Sequence, residues 1–136
     1  MNVTRVIVAG FAAFVAYMAI GFVVFGLSPL KNEFQKYPAV YRSAEGIKRV
    51  MPVGMAAMLL SMIVLAVIYS MLYKGGSGGV EGVRFGALIG VFFVCAFVVH
   101  NHVNLNIGLA LTVGQAVAYF AEWTVVGVVI GLIYRV

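Results

Sequence analysis

The chain has 136 residues, 64% hydrophobic and 10% charged, with nine Lys and Arg against four acidic residues, a net charge of +5 and a mean hydropathy of +1.10. A soluble domain of this length could not cover itself with so few polar residues, which leaves lipid as the solvent. Every Lys and Arg flanks an apolar run, so the positive charge points to anionic lipid headgroups and not to nucleic acid. The expected fold is an all-α membrane protein of one domain, residues 1–136, with four transmembrane helices and an amphipathic interfacial helix between the first and second.

The first span is read at residues 6–27 (VIVAGFAAFVAYMAIGFVVFGL), long enough to cross about 30 Å of hydrocarbon. The preceding MNVTR resembles the basic lead of a signal peptide, but the apolar run is too long for an h-region and no small-residue cleavage site follows. It is therefore expected to remain as a helix. Residues 28–50 form a long basic connection, in which Ser28-Pro29 marks a helix start and Leu30, Phe34, Tyr37 and Tyr41 recur at helical spacing. After Pro38, Val40, Ala44, Ile47 and Met51 form a second apolar stripe opposite Arg42, Glu45, Lys48 and Arg49. A basic amphipathic segment of this kind, residues 29–50, is expected in the headgroup plane, continuing into the second span with a bend near Pro52.

The second span, 51–73, carries Met51, Met55, Met58 and Met62 on one stripe. Soft sulfur suits Cu(I), and the MxxxM step resembles that of eukaryotic copper transporters. Those have three spans and a GxxxG inside a helix, whereas Gly75 and Gly79 fall in KGGSGGVEGV (74–83), read here as a flexible Gly-rich loop. Adaptable packing is the plainer role for these methionines. The third span is read at 84–104, with Cys95 in its middle as a small buried filler. A short turn near 105–109 makes it an antiparallel hairpin with the fourth span at 110–134. Four spans place both termini on one side. Five basic residues in the first loop against four on the other side barely separate the two orientations, with a slight lean to a cytoplasmic first loop.

Glu122 falls at the centre of the fourth span, where an ionised carboxylate costs about 2.5–3.5 kcal/mol to insert and a neutral one still requires a partner. Thr112, Gln115 and Tyr119 share its face, and this polar stripe should meet protein or water, with Tyr17 and Ser61 as partners at similar depth. The stripe can handle a proton or cation, or it can serve as an interhelical hydrogen-bond lock. The cluster His100, Asn101, His102, Asn104 and Asn106 is the second candidate. Residues two apart on a helix point about 200° apart, so His100 and His102 do not share a metal on a regular helix. Span length places them at the interface, where capping of the turn is the plain role and a metal, quinone or proton relay the sharper one. His100 could reach Gln115 across the hairpin, whereas Glu122 lies about 10 Å deeper. Gly86 with Gly90, and Gly127 with Gly131, are small-xxx-small motifs for close helix packing.

EGVRFGALIGVF (81–92), the Asn-containing end of the third span, AEWTVVGVVIGLIYRV (121–136) and YRSAEGIKRVMPVGMAAMLLSMIVLAVIYS (41–70) resemble a group of uncharacterised bacterial four-span integral membrane proteins. In that group a Glu precedes a Gly-rich last span with an Ile-Tyr-Lys/Arg tail, and Glu122, Gly127, Gly131, Tyr134 and Arg135 stand at those positions. The HNH is outside the pattern. The resemblance implies a multi-pass protein of the bacterial inner membrane and attaches no activity to it.

No Ser-His-Asp set, HExxH, phosphate loop or CxxC points to an enzyme, and the cofactor is left open. The leading expectation is a non-catalytic packing or accessory component of a homo-oligomer or larger membrane complex, joined through the glycine faces and the polar stripe. The alternative is a proton or small-cation transporter or channel centred on Glu122, acting as an oligomer because four short helices enclose little pore. A third is a metal or cofactor site at His100 and His102.

Overall fold

The computed structural model describes residues 2–135, which are helical with no strand among them. The first span is α1 (Val3–Gly21), which Asn2 caps by accepting from the Arg5 amide, running on into a π-helical segment at Phe22–Leu27. A short α2 (Leu30–Gln35) follows, then turns to Ser43. The second span is α3 (Ala44–Leu72), capped by the Ser43 hydroxyl and running through Pro52 as one helix. The third comprises α4 (Gly78–Phe93), a second π-helical segment (Val94–Val99) and α5 (His100–Asn104). The fourth is α6 (Leu109–Tyr134). Each of the four is long and apolar enough to cross a membrane, as expected of a four-helix membrane fold.

The fourth span is the hub. It packs against α4 on one side and α1 on the other, and α3 leans mainly on the far side of α1. The core therefore collects Val6, Ala9 and Ala13 of α1, Met62, Ala66 and Tyr69 of α3, and Trp123, Val126, Ile130 and Tyr134 of α6. Only the second half of α3 joins it. From Ala44 to Ala57 every residue except Gly46 is exposed.

Three expectations are corrected. Residues 78–83 are not loop but the first turns of α4, after a turn in which Gly75 has φ +86°. Gly78, Gly82, Gly86 and Gly90 recur every fourth residue and all are buried, because this edge of α4 lies on α6. A Cβ on Gly86 would stand 2.6 Å from the Trp123 carbonyl oxygen and 2.9 Å from the Thr124 Cα. Gly127 and Gly131 fill the same role from α6, against Gly82, Gly86 and Gly78. The glycines thus serve close approach, and a polar-looking composition hid a helix.

The segment 29–50 is not one interfacial helix. Its first part is the six-residue α2, and residues 44–50 open α3. The aromatic face of α2 turns inward: Phe34 stacks edge-on with Phe25 and Tyr41, Leu30 lies against Gly114, and the Tyr37 hydroxyl accepts from the Gly108 amide at 2.8 Å. Cys95, expected as a buried filler, is exposed, lining an open apolar groove between the third and fourth spans with Val91, Val117 and Phe120.

Candidate functional site

The polar stripe is where helical spacing places it. Thr112, Gln115 and Glu122 are buried, at 6%, 5% and 1% exposure, and Tyr119 is half-buried between them. Glu122 sits midway along α6, and its carboxyl lies against the Gly21 backbone, where a Cβ would come within 3.0 Å of Oε1. Gly21 is the last residue of α1 before the π-helical segment. Among the described residues neither carboxyl oxygen has a hydrogen-bond partner, and the neighbouring Trp123 Nε1 is also buried and unpaired. Interiors seldom leave such groups unpaired, and each costs about 1–3 kcal/mol.

The surroundings are aromatic. Trp123 packs on Tyr17 at 5.4 Å and on Phe93 at 5.3 Å between ring centres. Tyr119 meets Phe25 at 5.0 Å and Phe93 at 4.9 Å, with Phe97 edge-on at 6.4 Å. Phe25 and Phe97 belong to the two π-helical segments, so Tyr119 is flanked by both. A π turn inserts a residue into a helix and is found frequently at functional sites. Of the expected partners, Tyr17 is beside the stripe. Ser61 is not: it is exposed and its hydroxyl donates to the Ala57 carbonyl at 2.9 Å. Equal depth had suggested it, but Ser61 lies on the outward side of α3, and the adjacent Met62 is the residue turned into the core.

The hairpin contact is also corrected. His102, not His100, reaches the stripe, with Nδ1 2.9 Å from the Thr112 hydroxyl, which also contacts the Gly108 carbonyl at 3.2 Å. His100 is exposed, and its backbone carbonyl accepts from Asn104 Nδ2 at 3.0 Å. The extra residue of the Val94–Val99 segment shifts the register by which side chains were projected from span length. Asn101 and Asn106 make no side-chain hydrogen bond among the described residues. Among the described residues, no three His, Cys, Asp or Glu come together in a metal-binding group. The Met stripe is divided as well, with Met51 and Met55 exposed and Met62 fully buried.

Sequence reasoning did not find a cleft of about 790 Å³ between the first loop and the start of α3. Phe25, Phe34, Val40 and Ile47 form its walls, Lys31 and Arg42 line it, and Tyr119 stands at its inner end. The signal available in the sequence is the aromatic repeat of the first loop, whose Phe34 and Tyr41 line this cleft. On the opposite side of Glu122 the next turns of α6, Val126 and Ile130, are buried, and Tyr69, Tyr73 and Tyr134 pack edge-on beyond them. The carboxyl is thus nearer to space on the first-loop side. Compared with known proteins, the chain matches no family model, no curated protein and no solved structure.

Proposed function

We propose that the protein takes up and releases a proton at Glu122, serving as a proton-handling membrane transporter or channel entered from the side of the first loop. The observation that carries this reading is the carboxyl with both oxygens buried and unpaired at mid-membrane. A group kept only as a packing lock would be hydrogen-bonded, since that is what a lock consists of. Tyr119, one helical turn nearer the surface and lining the cleft, is the group that must yield for exchange. Glu122 belongs to no group of three His, Cys, Asp or Glu among the described residues, so a proton fits better than a metal cation.

The test is proton flux into vesicles of neutral lipid under an imposed potential. Glu122→Gln keeps the shape and removes the titratable group, and flux is expected to fall to the protein-free level. Measurable flux that Glu122→Gln leaves unchanged overturns the reading, as does a wild-type protein with no flux at all.

A second reading, an accessory component of a homo-oligomer or larger complex in the bacterial inner membrane, is favoured by the unpacked first half of α3. It does not use the glycine faces or the stripe, which are engaged within the chain.

A further inference from the structure

The cleft between the first loop and α3 joins two chemistries. Its inner part is apolar and aromatic, from Phe34 and Ile47 to Phe25 and Tyr119, and its charged lining is entirely basic. The carboxylates of the loop lie outside it: Glu33 is held by Lys36 at 2.6 Å, and Glu45 is exposed on the first turn of α3. Lys31 and Arg42 form no ion pair among the described residues. The first-turn Gly46 amide of α3 is already capped by Ser43, so the two side chains carry the anion preference. At about 790 Å³ the cleft is within the roughly 300–1,000 Å³ of ligand pockets.

We infer that this cleft binds one anionic phospholipid, its headgroup phosphate between Lys31 and Arg42 and an acyl chain along Phe34, Ile47 and Phe25 towards Tyr119. An ammonium and a guanidinium converging on one phosphate give charge-assisted contacts that a zwitterionic headgroup offsets with its own cation. The apolar walls distinguish a lipid from a free phosphate. The inference is independent of the reading of Glu122, because it is tested by binding. A lipid seated here covers the route to Tyr119, which is why flux belongs in neutral vesicles.

The protein in mild detergent is titrated with dioleoyl phosphatidylglycerol or dioleoyl phosphatidylcholine. Bound lipid is counted by native mass spectrometry and thermal stability is followed in parallel. One phosphatidylglycerol per chain and a rise in melting temperature are expected, with phosphatidylcholine doing neither. The double substitution Lys31→Gln with Arg42→Gln should weaken binding by roughly tenfold or more. Lys48→Gln with Arg49→Gln removes equal charge outside the cleft and should leave binding unchanged. Ile47→Trp fills the cleft without altering charge and should also abolish retention. Equal retention of the two lipids, wild-type binding by the Lys31/Arg42 variant, or displacement of the lipid by excess inorganic phosphate overturns the proposal.

Discussion

Glu122 concentrates the cost of this fold in one side chain. A carboxyl enclosed at 1% exposure with no hydrogen-bond partner among the described residues is a burden on stability, so replacing it should help the protein stand while removing what it does. Glu122→Met, of similar volume and apolar, is expected to stabilise the protein by about 1–3 kcal/mol in a detergent unfolding titration. A loss of stability of that size would mean that the carboxyl is a structural lock after all. The residue was legible in the sequence because helical spacing links it to Gln115, Tyr119 and Thr112 whatever the rest of the chain does. Its neighbours were not. Depth matching proposed Ser61 and Tyr17 equally, and only the azimuth of each helix, which spacing within one span cannot supply, separates the exposed serine from the tyrosine packed on Trp123.

Between elements, the α4–α6 contact is the closest in the molecule and depends on hydrogen atoms where other residues have Cβ. Gly86→Ile should lower stability by about 1–3 kcal/mol, through overpacking against the Trp123 and Thr124 backbone that cannot move away, as read by the melting temperature in detergent. Gly54→Ile is the companion measurement, since nothing lies within 4 Å of a Cβ there, and it should leave stability nearly unchanged. Half of this glycine edge was readable as Gly86-xxx-Gly90. The other half, Gly78 and Gly82, was lost because KGGSGGVEGV has the composition of a linker in water. The step of four residues running unbroken from 78 to 90 was the available signal, and in lipid, where backbone groups must be satisfied within the helix, it outweighs composition. The first loop differs: helical spacing shows that its aromatic residues share a face but not what that face meets, and α2 turns it onto Phe25 and the start of α6.

At the scale of the molecule, the number of spans and their C-terminal ends were legible because bilayer thickness fixes span length, although the second and third helices begin earlier than read, at Ala44 and Gly78; their lateral order was not legible, because apolar periodicity is uniform around helices bathed in lipid. The resulting arrangement leaves the first half of α3 exposed, with no other described span packed on it, a face that a second copy of the chain could cover. Val53 is 74% exposed at its centre. In a Cys95→Ser background, Val53→Cys is expected to cross-link to a dimer in native membranes under mild oxidation, whereas Cys at the buried Ala66 is not. Failure of Val53→Cys to cross-link removes the α3 contact from the accessory reading. The central place of α6 also sets an order of events during synthesis. The first and second spans can pair as they leave the ribosome, through Gly10 closing on Ile63, but the face of α1 that receives the fourth span waits until the third span and its connections have been made. The helix carrying the costliest residue therefore inserts after the other three spans, and it arrives to find its partners already in the bilayer.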